Sequence, residues 1–150
     1  MGQRVQRAAQ QPNGGGAVLT LLLLDTSVLV DAERSALDLE ALIADDDEPA
    51  VAAITIAELG VGVEMATGKR RQARRAFLDD LIDTLPIIGY DLDVAYAHTQ
   101  LLVAVRRVGR PQGAHDLIIS ATALATGRVV VTSDETGFAD LPGVTVRRPS

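Results

Sequence analysis

Cysteine is absent from the 150 residues, so neither disulfides nor thiolate chemistry, as nucleophile or as metal ligand, is open to this chain. The same absence is compatible with a reducing cytosol. Tryptophan is missing too, and aromatic residues make up only 3% of the chain, so a core has to be assembled from Leu, Val, Ile and Ala within an apolar content of 47%. Lysine occurs once, at Lys69, against thirteen arginines. The net charge of −6 argues against indiscriminate binding to polyanions. The arginines nevertheless cluster, as Arg70, Arg71, Arg74 and Arg75 and again as Arg106, Arg107 and Arg110. Such runs read first as solvated helix faces, although guanidinium forks also suit phosphate. Arg4 and Arg7 precede the apolar run Ala17–Leu24, but that run lacks a small-residue cleavage pattern and is far too short to span a bilayer. A soluble, cytoplasmic protein is expected.

What is present is organised around Thr20–Asp31. Four consecutive leucines, Leu21–Leu24, cannot alternate between core and solvent, so they predict a strand covered on both faces, as in parallel sheets. Asp25 follows at once, where the chain has to turn. Residues 1–17, Gln-rich and then Pro-Asn-Gly-Gly-Gly, read as a disordered leader, and 18–150 as one domain without internal repeats. Short helices are expected over Val28–Ala32 and Leu37–Ala44, the second closed by the acidic run Asp45–Glu48 as a solvated loop. Ala50–Ile54 reads as a second buried strand, leading into the capping-box pattern Thr55-Ile-Ala-Glu58 and a helix to Met65. Gly68 and Lys69 break it, and Arg70–Thr84 predicts an amphipathic helix with Phe77, Leu78, Leu81 and Ile82 inward. Leu85–Ile88 is a third strand. Asp91 or Asp93 opens the next helix, which runs to Arg107. A Gly-rich loop precedes His115-Asp116 and the apolar helix Leu117–Thr126, ended by Gly127. Arg128–Thr132 is a fourth strand and Val144–Val146 an edge strand. Strands alternating with helices predict an α/β fold, a three-layer α/β/α sandwich with a mostly parallel four- to five-stranded sheet.

Four carboxylates stand out. Asp25 follows strand one, Glu58 lies a helical turn after strand two, Asp116 begins a helix, and Asp134 follows strand four. The C-terminal strand ends of a parallel sheet share one edge, where open α/β folds place their ligands. Each acid also has a local explanation: Asp25 as a helix cap, Glu58 in a capping box with Thr55, Asp116 at a helix dipole, Asp134 in an Asx turn. Four independent caps need not fall at one edge, however. Carboxylates packed together repel one another, and a hard divalent cation such as Mg²⁺ or Mn²⁺ resolves this while leaving room for a phosphate oxygen and a water. His98 and His115 stand apart, so no zinc site is indicated, and a loop or capping role is expected of His115. The pattern points to metal-assisted phosphodiester hydrolysis.

Leu-Leu-Asp25-Thr-Ser-Val-Leu-Val-Asp, Ile-Thr55-Ile-Ala-Glu58-Leu, His-Asp116-Leu-Ile-Ile-Ser-Ala-Thr-Ala and Val-Val-Thr132-Ser-Asp134 resemble the signature blocks of PIN-domain ribonucleases, above all the VapC toxins of bacterial toxin–antitoxin pairs. The resemblance covers residues 20–148. It implies a Mg²⁺-dependent endoribonuclease, dimeric, acting on RNA and silenced by a cognate VapB-type antitoxin that inserts a tail into the active-site groove. Within it Asp25 and Asp116 match the principal metal ligands, Glu58 and Asp134 complete the catalytic quartet, and Thr132 or Ser133 matches a hydroxyl position near the last acid. One position departs: Gly137 stands where many relatives carry an acid, with Asp140 further along. Two rival phosphoryl-transfer folds fail on single residues. A receiver domain needs a late lysine, and a haloacid-dehalogenase phosphatase needs an aspartate at position 27, which is Ser. The alternative from another class is a non-catalytic PIN-like interaction module, against which the full set of acids argues.

Overall fold

The computed structural model describes residues 19–35, 39–109 and 112–149. The expected leader, the first residues of the helix expected over Leu37–Ala44, and Arg110 lie outside the described residues. Among the described residues five strands form one parallel sheet in the order β3-β2-β1-β4-β5, with β1 (Thr20–Leu24) at its centre. β1 pairs in parallel with β2 (Asp47–Ala52), Leu23 opposite Ala50, and with β4 (Val129–Val131), Leu23 opposite Val130. The short strands β3 (Ile87–Ile88) and β5 (Val146–Arg147) complete the two edges.

The leucine run works as its pattern demands. Leu22 and Leu24 enter a core with Val28, Leu29, Val63, Leu78 and Leu81, contributed by α1 (Thr26–Arg34), α2 (Ala53–Met65) and α3 (Gly68–Thr84). Leu23 enters the opposite core with Ile119 and Ala123 of α5 (Ala114–Thr126). α4 (Leu92–Val108) packs outside α5 through Val94, Leu101, Leu117 and Ala121. The result is the three-layer sandwich that the alternation of strands and helices predicts. Asp91, rather than Asp93, opens α4, its carboxylate accepting from the Val94 N–H at 2.9 Å. Gly109 and Gly127 close α4 and α5 in the left-handed conformation, at φ 75° and 64°.

Several local readings change. β2 begins at Asp47 and ends at Ala52, so half of the acidic run belongs to a strand. Asp47 is no solvated charge: its side chain is 4% exposed, accepts from the Ala44 N–H at 3.0 Å and meets Arg147 at 3.0 Å. Thr55 caps nothing, because α2 already starts at Ala53 with Ala52 at the cap position and Thr55 fully buried in its first turn. Ile82 is 43% exposed, so α3 turns Leu78 and Leu81 inward without it. Leu39–Leu42 form a 3₁₀ turn in place of an α-helix. Among the described residues no helix is long and apolar enough to cross a membrane.

The Asp47–Arg147 pair joins the start of β2 to the edge strand β5. Asp47→Ala is expected to destabilise the protein by about 1–3 kcal/mol, because it strands a half-buried guanidinium and a backbone N–H. Urea titration measures this; a surface loop position would instead stay within ~0.5 kcal/mol.

Candidate active site

Asp25 leaves the centre of the sheet directly. Its backbone N–H donates to Val131 O of β4 at 2.9 Å, extending the ladder by one step, and α1 begins at the next residue. The side chain caps nothing in α1 and is only 5% exposed. One of its oxygens, Oδ2, accepts from Ser27 Oγ at 2.8 Å and from the fully buried Thr132 Oγ1 at 2.7 Å. Thr132 in turn accepts from the Asp134 N–H at 3.0 Å, and the Ser133 N–H donates to Ser27 Oγ at 3.1 Å. Two hydroxyls therefore clamp one carboxylate oxygen and leave Oδ1 without a protein donor among the described residues. Of the hydroxyl positions read from sequence, Thr132 acts through its side chain and Ser133 through its backbone.

Glu58 is held from both sides. Thr26 Oγ1 donates to its Oε1 at 2.8 Å and lies 3.1 Å from Thr55 Oγ1, so Thr55 supports the site through Thr26. His115 Nδ1 lies 3.1 Å from Glu58 Oε2. His115 is thus neither a cap nor an idle loop residue, and α5 takes Gly113 at its cap position. Asp134 accepts from the Thr136 N–H at 3.2 Å, which realises the Asx turn expected of it in isolation.

Asp116, in the first turn of α5, reports what these groups do together. Its carboxyl is pushed up from 3.8 to about 6, first by burial, then by the charges of Asp25, Glu58 and Asp134, with His115 pulling the other way. Three of the four acids singled out in the sequence therefore act on the fourth. Asp140, by contrast, sits exposed in a left-handed turn at φ 61° and is not among the groups that shift Asp116. Backbone closes around Asp116 as well. A Cβ on Gly137 would stand 2.6 Å from Asp116 Oδ2, and one on Gly113 3.1 Å away. The departure at position 137 is thus a close approach of main chain to the carboxylate.

Among the described residues no three His, Asp or Glu side chains already close into a cation cage. That is the arrangement Mg²⁺ tolerates least need of, since it binds through one or two carboxylates and keeps several waters. The donor set fits such an ion: oxygen only, one clamped carboxylate with a bare oxygen, and a second acid whose charged form a cation would favour. Thr26 and Ser27 are residues that sequence reading passed over, and His115 is one of which it expected only a loop or capping role. The first two carried a signal, as hydroxyls directly after Asp25. The third carried none, because its contact joins α5 to α2.

A parallel α/β/α domain that crowds carboxylates at the C-terminal ends of its strands belongs to the class of acidic-site α/β folds. Within that class the chain belongs to the PIN domain family, whose model matches residues 22–144. It is similar to ribonuclease VapC5 of Mycobacterium tuberculosis, 38% identical over 124 residues that cover 81% of this chain and 87% of the relative. It is also similar to the VapC ribonuclease Y4jK of Sinorhizobium fredii, 31% identical over 129 residues, covering 79% and 90% of the two chains. Among solved structures it resembles VapBC2 of Rickettsia felis bound to a promoter DNA fragment, at a TM-score of 0.77 and 25% identity, covering 87% of this chain and all of that one. A second likeness is the toxin–antitoxin complex VapBC-5 of Mycobacterium tuberculosis, at 0.68 and 32%, covering 87% and 98%. PIN-domain nucleases depend on divalent metal.

Two outcomes follow from Asp116. An Asp that holds its proton more tightly folded than unfolded penalises the fold once ionised; the penalty is absent below 3.8 and complete above about 6. Asp116→Asn is expected to raise the melting temperature of the metal-free protein at pH 8, with the gain fading towards pH 4. Gly137→Ala is expected to displace the Asp116 carboxylate and cut nuclease activity at least tenfold, while stability changes by less than ~1 kcal/mol. Cleavage assays and thermal melts of the same preparation separate the two effects.

Proposed function

We infer that residues 18–150 form a Mg²⁺-dependent endoribonuclease, Mn²⁺ being a competent substitute, that acts as the toxin of a toxin–antitoxin pair in the cytoplasm. The observation that carries this is the crowding of Asp25, Glu58 and Asp134 around Asp116, with no lysine or arginine among the four. Asp25, through its bare Oδ1, and Asp116 are the residues that would hold the ion. When bound, the ion supplies positive charge to the phosphodiester and acidifies water for attack. Ser27 and Thr132 orient Asp25; Thr26 and His115 orient Glu58. Glu58 and Asp134 add the negative field that makes a divalent cation, and not a bare phosphate, the first occupant of this edge. The names of the relatives as ribonucleases support RNA as the substrate.

A cleft of ≈ 210 Å³ runs from Thr26 and Glu58 between α1, α2 and α3 to Arg34, Arg74 and Phe77. We assign it to the inserted tail of a cognate VapB-type antitoxin: Val30, Leu59, Phe77 and Leu78 give it an apolar lining, and Glu58 is part of its wall, so an occupant reaches one of the acids. The similarity to VapBC complexes supports this partner and a hetero-oligomer. A homodimer is supported by apolar side chains left exposed on α4, Leu92, Tyr96 and Val103, and on α2, Val61 and Met65, the last 80% exposed. Of the two helices expected to carry that surface, α4 does so, whereas α3 exposes only Ile82.

Antitoxin-free protein is expected to cleave structured RNA on addition of Mg²⁺ and to stop on addition of EDTA. Asp25→Asn keeps the shape and both hydroxyl contacts, so it is expected to fold normally. Its loss of cleavage is expected to exceed the ~10–100-fold typical of residues that only support a metal ligand. Robust hydrolysis in excess chelator, or near-wild-type cleavage by Asp25→Asn, overturns the reading.

A further inference from the structure

The two arginine clusters of the sequence are used differently. In the first, Arg71 and Arg75 meet Glu64 at 3.0 and 3.1 Å and Arg74 donates to Gly62 O at 2.9 Å, so three guanidinium groups are engaged within the protein. In the second, Arg106 and Arg107 occupy the last turn of α4 and are exposed. Among the described residues neither meets a carboxylate or a carbonyl. Their place in the fold follows from the connection to α5. α4 closes at Gly109 and α5 begins at Ala114, two residues before Asp116. Five peptide steps span at most ~18 Å. Tyr90, just before α4, shares a surface depression with Thr122 near the end of α5, so the two helices run antiparallel. The last turn of α4 therefore lies beside the first turn of α5, which carries Asp116. Gln112 of the connection reaches Ala139 O at 3.5 Å, close to Gly137, whose backbone faces Asp116. Neither arginine is among the groups that shift Asp116, so both stand clear of the acids.

We propose that Arg106 and Arg107 are positioning residues that hold backbone phosphates of the RNA strand flanking the scissile phosphate. A chain of net charge −6 with four acids at one edge repels a polyanion, so the strand needs local cations that no internal partner occupies. Guanidinium forks suit phosphate oxygens and keep their charge at every working pH. Phosphate contacts fix register and carry no base identity, so these arginines place the strand without selecting a sequence. The competing reading is local: cations in the last turn of a helix complement its dipole. That role is complete within α4 and predicts a loss of stability, whereas phosphate binding predicts a loss of salt-dependent RNA affinity. The inference rests on the endoribonuclease reading.

The test measures RNA binding against salt. Asp25→Asn protein, which is expected to bind without cutting, is titrated by fluorescence anisotropy with a labelled single-stranded RNA oligonucleotide over a series of KCl concentrations. Each phosphate contact contributes about 0.7 to the slope of log Kd against log salt. Arg106→Gln combined with Arg107→Gln is therefore expected to lower that slope by about 1.4 and to weaken binding roughly tenfold at low salt. Arg106→Lys combined with Arg107→Lys keeps both charges and is expected to retain the slope. Arg70→Gln removes another exposed arginine, on α3, and is expected to leave the slope unchanged. An equal drop per charge removed in Arg70→Gln overturns the inference, since net charge then accounts for the effect. An unchanged slope with a lowered melting temperature also overturns it, because the arginines then serve only the dipole of α4. Light scattering of the same samples is expected to give the parent mass; a changed mass accompanying the changed slope overturns the inference in favour of a contact between protein copies. These outcomes leave the nuclease reading intact. Absence of Mg²⁺-dependent cleavage by the wild type removes that reading, and the inference falls with it.

Discussion

Like-charge repulsion at one sheet edge is the constraint around which this molecule is arranged. Four carboxylates share that edge, and burial together with the charges of the other three drives Asp116 up to about 6. Among the described residues no lysine or arginine acts on Asp116, and only His115 pulls its carboxyl back down. The hydrogen bonds that hold the acids in place come from neutral donors: Ser27 and Thr132 on Asp25, Thr26 on Glu58, and the Thr136 hydroxyl and N–H on Asp134. Neutral donors fix geometry without cancelling charge, so the field remains available to an incoming cation.

Holding such a site requires a rigid base, and β1 provides it. Its leucines feed cores on both faces, Leu22 and Leu24 towards α1, α2 and α3 and Leu23 towards α5. The two layers that carry Glu58 and Asp116 are therefore packed against the same strand that delivers Asp25. Sliding β1 by one residue would exchange its faces and withdraw Asp25 from the edge. The geometry of the acids is in this sense a consequence of core packing.

The acidic balance of the chain fits the same picture. An RNA has to be held against a net charge of −6, so its affinity falls to local groups and to the cation. Of the arginines that cluster in the sequence, Arg71 and Arg75 are paired with Glu64 and Arg74 donates to Gly62 O, so that cluster largely braces α2 against α3. Arg34 and Arg74 also line the cleft that Glu58 borders. None of the exposed apolar side chains Val61, Met65, Leu92, Tyr96 and Val103 lines this cleft.

Periodicity and run length by themselves determined the central strand, the alternation of layers, the ends of α4 and α5 at Gly109 and Gly127, and the address of Asp25, Glu58, Asp116 and Asp134. These are local properties: a leucine run, a helical repeat, a glycine that alone tolerates positive φ. The rest depended on residues far apart in the chain. Thr55 looked like a helix cap until α2 was seen to begin at Ala53; pairing with β1 ended β2 at Ala52 and put Thr55 inside the helix, behind Thr26. Asp47 looked solvated until β5 brought Arg147 alongside. Gly137 looked like a missing acid, and the fold uses its bare backbone to close on Asp116. His115 looked idle until α5 was laid against α2. A hydrogen bond is directional and reaches about 3 Å, so whether two groups separated by 32 or 107 residues share one is decided by the packing of whole elements and leaves no trace in the local pattern.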